Sequence, residues 1–170
     1  LAAPYVSREI VTLPSGLTVT LSRERSVTLA QGGGDFDFVS RTDTLAIDGT
    51  GRSVTLSGGG ASQVLQLDGA TSLALKSLTI ANGRAAQVFA AGGVTVLGPT
   101  PSNPAGAATL NVTDCVFTGN SANLAWTAGA ILLFNTTTAL TVANSSFIGN
   151  SGITPSGDPS VGAIFGVSGV

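Results

Sequence analysis

Acidic residues are the first place to look for chemistry in this chain of 170 residues, which contains no histidine, no methionine and a single cysteine. Asp48-Gly49 and Asp68-Gly69 each close an alternating run, Leu45-Ala46-Ile47 and Leu65-Gln66-Leu67, so the same turn recurs a short interval along the chain. Two carboxylates on neighbouring turns of a coiling chain could divide general acid and general base work on a glycosidic bond. Their surroundings argue against it. An aspartate directly before glycine, after an alternating run, accepts backbone N–H bonds in a tight turn, and no cluster of lysine, arginine and aspartate accompanies the pair. The expectation is a non-catalytic chain, not an enzyme.

The other candidates are equally spare. Gly32-Gly33-Gly34-Asp35-Phe36-Asp37 resembles the glycine-aspartate repeats whose carboxylates converge on calcium, but it occurs once, and an Asp and Gly loop between strands fits the same residues. No cofactor or metal is expected. Cys115 falls at an inward position of the repeat described below and reads as a packed thiol that cannot close an internal disulfide. Three Asn-x-Ser/Thr sequons, at Asn111, Asn135 and Asn144, could carry glycan if the chain comes from a eukaryotic secretory pathway. Asn111 lies between inward-facing Leu110 and Val112 and should point outward. Asn135 follows a strand end. Asn144 sits at a corner, where an internal hydrogen-bonded ladder would compete with modification.

What positions these residues is a repeat. Leu110 to Ala122 (LNVTDCVFTGNSA) and Leu140 to Gly152 (LTVANSSFIGNSG) are copies of one thirteen-residue pattern, and Leu73 to Ala85 (LALKSLTIANGRA) aligns with them without a gap. In each copy apolar residues recur at every second position, the period of a strand with one face inward. Two residues then break the phase, Lys76-Ser77, Thr113-Asp114 or Ala143-Asn144, and a second inward pair follows: Leu78 and Ile80, Cys115 and Phe117, Ser145 and Phe147. Such a slip is a corner. A second corner follows at Asn82-Gly83, Gly119-Asn120 and Gly149-Asn150, residue types that tolerate left-handed backbone.

The copies start at Leu73, Leu110 and Leu140, steps too short for a unit with its own core but long enough for one turn of a coil that must stack on its neighbours. Stacking would place Ile80, Phe117 and Phe147 in one core ladder, and Asn120 and Asn150 in a second one, each amide bonding the next. These five residues are expected to hold the coil rather than bind a ligand.

Composition fits such a coil. Apolar residues make up 43 % of the chain and charged residues only 9 %, against roughly a quarter in ordinary soluble domains. A surface so poor in charge is usually covered, by glycans or by further copies of itself. The net charge of -2 offers no basic face for nucleic acid. The longest apolar run, Ala128 to Phe134, is far short of the roughly 20 residues of a membrane span.

Along the chain, residues 1–43 read as N-terminal cap coils, with strand-like pieces at Ile10 to Leu13, Leu17 to Leu21 and Val27 to Ala30. Eleven of the sixteen charged residues precede position 53, as suits a cap that must discourage edge pairing. Residues 44–170 read as regular coils interrupted by proline-rich loops at 98–106 and 153–160, since proline cannot join a ladder. The pattern stops in mid-coil, and position 1 is not methionine, so a processed chain or a piece of a longer coil is expected, with any signal peptide already removed.

Phe117-Thr118-Gly119-Asn120 and Phe147-Ile148-Gly149-Asn150 match an FxxN motif, and Gly129-Ala130-Ile131 and Gly162-Ala163-Ile164 are close to GGAI. Over residues 90–165 the chain resembles the polymorphic outer-membrane-protein repeats. It departs from them where Ala128 and Val161 stand in place of the first glycine of GGAI. The resemblance implies a right-handed parallel β-helix, extracellular or cell-surface display, and an adhesive or structural role. With the repeat itself, it sets the expectation: an all-β solenoid of about six or seven coils, a non-catalytic structural or adhesive element, self-associating as a fibre or cell-surface subunit. The alternative is a carbohydrate-binding or polysaccharide-cleaving β-helix, which would need charged or aromatic residues from consecutive coils along one groove. Asp48, Asp68, Lys76, Arg84, Trp126 and Tyr5 are what the sequence offers for that.

Overall fold

The computed structural model describes residues 18–20, 26–30, 36–39, 44–51, 53–68, 72–98, 108–134, 139–154 and 157–167. Every described element is a strand, and every strand pairing is parallel. The chain makes repeated passages through the same sheets. The first passage supplies β1 (Thr18–Thr20), β2 (Ser26–Ala30) and β3 (Phe36–Val39), and the second β4 (Thr44–Asp48), β5 (Ser53–Ser57) and β6 (Leu65–Asp68). The third supplies β7 (Ser72–Lys76), β8 (Thr79–Ala81), β9 (Arg84–Ala85) and β10 (Val94–Leu97). The fourth supplies β11 (Thr109–Thr113), β12 (Val116–Thr118), β13 (Ser121–Ala122), β14 (Thr127–Ala128) and β15 (Ile131–Phe134). The fifth supplies β16 (Ala139–Ala143), β17 (Ser146–Ile148), β18 (Ser151–Gly152), β19 (Ser160–Val161) and β20 (Ile164–Val167).

Three sheets hold five strands each, one per passage: β1-β4-β7-β11-β16, β2-β5-β8-β12-β17 and β3-β6-β10-β15-β20. Two small sheets, β9-β13-β18 and β14-β19, fill the remaining wall. The described residues thus account for five passages of the six or seven coils expected. Strands upstream of residue 44 join the same three sheets in register with β4, β5 and β6, so the regular stacking extends into the segment read as a cap. Ile10 to Leu13, Gly32 to Asp35 and most of the 98–106 loop lie outside the described residues. Phe36 and Asp37 belong to strand β3 rather than to a loop.

Both corners in each repeat carry a left-handed residue. At the first it is Ser77, Asp114 or Asn144, with φ of 53°, 54° and 49°, and at the second Asn82, Gly119 or Gly149, with φ of 52°, 63° and 61°. A single left-handed residue turns an extended chain sharply, and asparagine, aspartate and glycine tolerate it best. The phase slip seen in the sequence is this one residue.

Alternation then fills one shared interior. Leu73, Leu75, Leu110 and Val112 point in from one sheet, Val54, Leu56, Ile80 and Phe117 from the second, and Leu65, Val94, Val96 and Ile131 from the third. Gly129 marks a close approach of passages, since a Cβ there would meet the Gly162 carbonyl oxygen and the Ser151 backbone. Hence that step of the repeat takes glycine.

Candidate functional site

The core ladder is built from β8, β12 and β17. Phe117 is paired in register with Ile80 on one side and Phe147 on the other. The Phe117 and Phe147 rings stack with centroids 4.9 Å apart and planes 13° from parallel. Ile80 and Phe117 are fully buried, and Phe147 packs partly buried against the same core. Parallel strands about 4.8 Å apart impose this spacing on like residues.

Asn120 and Asn150 repeat one hydrogen-bond scheme. Asn120 Nδ2 donates to Ile80 O at 2.9 Å, and Asn150 Nδ2 donates to Phe117 O at 2.9 Å. The oxygens work the same way: Gly83 N donates to Asn120 Oδ1 at 2.9 Å, and Asn120 N donates to Asn150 Oδ1 at 3.1 Å. Asn120 Nδ2 also donates to Asn150 Oδ1 at 2.9 Å. Each amide therefore reaches back to the preceding passage and satisfies backbone groups that the corner removes from the strand ladder. Asn120 is fully buried, where an unpaired group would be costly.

Cys115 is buried, its thiol donating to Thr113 O at 3.2 Å, and burial pushes its pKa up. A thiol held protonated is a poor nucleophile. Its repeat mate Ser145 does different work. Ser145 Oγ accepts from Cys115 N at 3.0 Å and donates to Ala143 O at 2.8 Å, splicing the passages instead of filling the core.

The two aspartates are not brought together. Asp48 ends β4 and is in register with Lys76, whereas Asp68 ends β6 in a different sheet, in register with Leu97. One full passage therefore runs from Asp48 to Lys76, and Asp68 falls inside it rather than on the next level. Asp48 is occupied locally: Thr50 donates to Oδ1 from its backbone N–H at 2.8 Å and from its hydroxyl. Lys76 Nζ lies 3.7 Å from Oδ2. The Thr50 bonds, with Lys76 adding less, hold the Asp48 carboxyl below its usual range. This is turn chemistry.

Among the sequons, Asn111 faces outward and half-buried in β11, between buried Leu110 and Val112. Asn144 is exposed at its left-handed corner rather than held in an internal ladder. Asn135 lies outside the described residues, as does Tyr5. Trp126 is 40 % exposed on the outer wall. Among the described residues no three His, Cys, Asp or Glu side chains gather, and none forms a helix long and apolar enough to cross a membrane.

Sequence reasoning missed a second layer outside the β3-β6-β10-β15-β20 sheet. There Gln63 Nε2 donates to Gln66 Oε1 at 2.7 Å, Thr95 Oγ1 donates to Gln63 Oε1 at 3.1 Å, and Ala91 N donates to Thr95 Oγ1 at 2.7 Å, all buried. Further along the same wall an aromatic column replaces the polar chain. Phe89, Trp126 and Phe165 stack at 6.5 and 6.4 Å, and Phe134 lies 4.6 Å from Phe89, between centroids. Phe89 and Trp126 both adopt left-handed backbone, with φ of 56° and 57°. A signal for them existed: the step from Phe89 to Trp126 equals the step from Leu73 to Leu110, the starts of the first two repeat copies. The Trp126 ring runs close to parallel with both neighbours while remaining partly open to solvent. The chain matches no family model, no curated protein and no solved structure.

Proposed function

We propose that the five passages wind as a right-handed parallel β-helix, of the kind the polymorphic outer-membrane-protein repeats form, and that it serves as a non-catalytic structural or adhesive element displayed outside the cell. Right-handedness is the usual sense of crossover between parallel strands. The motif residues support the structural role, because Phe117, Phe147, Asn120 and Asn150 spend their contacts on neighbouring passages. Asn111 and Asn144 are the described positions from which a glycan could project.

The observation that supports self-association is a charge-poor exterior. From Ala85 to Val170 the sequence holds only two charged residues, Asp114 and Asp158. Among the described residues, Val88, Trp126, Ile148 and Ile153 are also exposed. A surface this poor in charge, carrying exposed apolar side chains, favours association. Sedimentation of the chain over a hundredfold concentration range tests this. Mass should rise with concentration, and a Val88→Lys/Ile148→Lys double variant should stay monomeric. A wild-type chain that remains monomeric at the highest concentration would overturn self-association.

A further inference from the structure

On the outer face of β9, β13 and β18 runs an open trough of about 330 Å³. Arg84, Ser121 and Ser151 occupy one register position on the three successive strands. Their side chains therefore line up along the stacking direction at intervals of about 4.8 Å. Residues two further on share the outward face of a strand, so Asn123 and Ile153 form the second row, and Gly60 closes one end.

Arg84 is exposed and makes no ion pair among the described residues, whereas Lys76 is engaged by Asp48. From Ala85 to the last residue the sequence contains no other cation. The Ser121 hydroxyl makes only a long 3.4 Å bond to Gly83 O and retains its acceptor capacity. Ile153, 68 % exposed, supplies an apolar wall beside these polar groups. A lone guanidinium followed by hydroxyls and an amide at regular spacing is complementary to a linear ligand that carries one anionic group and many hydroxyls.

We propose that this trough binds an acidic oligosaccharide. Arg84 pairs with a sugar carboxylate or sulfate through its paired N–H donors. Ser121, Ser151 and Asn123 hydrogen-bond ring hydroxyls, and the C–H face of a ring lies on Ile153. The volume is at the lower end of the range for ligand pockets, about 300–1,000 Å³. An acidic peptide fits less well. Extended peptides usually dock by adding a strand to a free sheet edge, and the trough uses outward side chains, whose strands are already laddered: Ser121 N donates to Gly83 O and Ser151 N to Asn120 O. The site needs no self-association, so it stands or falls separately from the assembly reading, which is tested by mass alone.

Calorimetric titration of the full chain tests the site with five probes: a uronic-acid tetrasaccharide, a sulfated tetrasaccharide, a neutral tetrasaccharide, an oligoglutamate peptide and inorganic sulfate. At least one acidic tetrasaccharide should bind tenfold or more tighter than the neutral sugar, the peptide and sulfate, and the stronger of the two identifies the anionic group. Arg84→Gln should reduce that affinity to the neutral level, Arg84→Lys should recover part of it, and Ser121→Ala should cost a few-fold. Arg84 is exposed, so unchanged thermal melting will show that the variants are folded. The proposal is overturned if neither acidic sugar binds, if the neutral sugar, peptide or sulfate binds equally well, or if Arg84→Gln binds as the wild type does.

Discussion

Two faces of the same wall system are built on different rules. Inside, Ile80, Phe117 and Phe147 supply one large apolar residue per passage, with Asn120 and Asn150 repeating one hydrogen-bond scheme beside them. Outside the β3-β6-β10-β15-β20 sheet, the column in register through Gln66, Thr95, Leu132 and Phe165 changes from polar to apolar as it ascends. Along the ladder each passage asks for a large apolar side chain, so one kind of residue can be reused. The outer layer must match whatever segment crosses it, so each level is solved separately.

The contrast predicts where substitutions should hurt most. Phe117→Ala empties the middle of the inner ladder, and a buried phenylalanine truncated to alanine costs about 3–5 kcal/mol. Chemical denaturation should show that loss, and Phe147→Ala, at the more open level, should lose clearly less. Equal losses would mean that the ladder does not differ by level. Asn120→Leu comes next. It leaves Gly83 N without its acceptor and Ile80 O without the amide donor, at about 1–3 kcal/mol for a buried group left unpaired. Hydrogen exchange should rise at the Gly83 amide and fall off within one passage on either side.

The inner face was legible in the sequence for the same reason that it is uniform. Three ungapped copies display period-two alternation, a two-residue slip and a turn, and those three marks became the strands and the left-handed corners at Ser77, Asp114 and Asn144. Reading failed where repetition fails. The interval between Asp48 and Asp68 looks like a period in the sequence, but one full turn there runs from Asp48 to Lys76, and the two residues end strands of different sheets. The buried Gln63, Gln66 and Thr95 chain has no repeat mate to announce it, because its register positions upstream and downstream hold other residue types. Arg84 likewise appears in one copy only, with serine at that position in the other two.

Thr95→Val sharpens the comparison from the outer side. The substitution preserves shape and removes the oxygen that accepts from Ala91 N and donates to Gln63. A cost of about 1–3 kcal/mol is expected if this chain is as dry as its burial implies. The companion Thr127→Val has no equivalent network and loses one bond, from its hydroxyl to Leu124 O, so it should cost less. A Thr95 variant with wild-type stability would show that the outer layer only covers the sheet and does not help to hold it.

The smallest effect belongs to Asp48, and its sign can be worked out. The Thr50 hydroxyl and N–H, with Lys76 adding less, stabilise the ionised carboxylate and hold its folded pKa below the ordinary value of 3.8. A group with a depressed folded pKa contributes stability above its unfolded pKa, and that contribution is lost as pH falls through the folded value. The protein should therefore lose a small increment of stability only below about pH 4. Because the Thr50 bonds outweigh the Lys76 charge, Thr50→Val should flatten the acid limb of a stability-versus-pH curve more than Lys76→Gln does. The Lys76 pair is exposed to solvent, with side chains 48 % and 34 % accessible, and such pairs contribute at most about 1 kcal/mol. Salt near 1 M, where screening acts over about 3 Å, should erase the Lys76 part and leave the Thr50 part. If salt removes the whole acid limb, Asp48 is held by its charge partner, and the turn reading of the Asp-Gly pair fails at the one place where its hydrogen bonds are described.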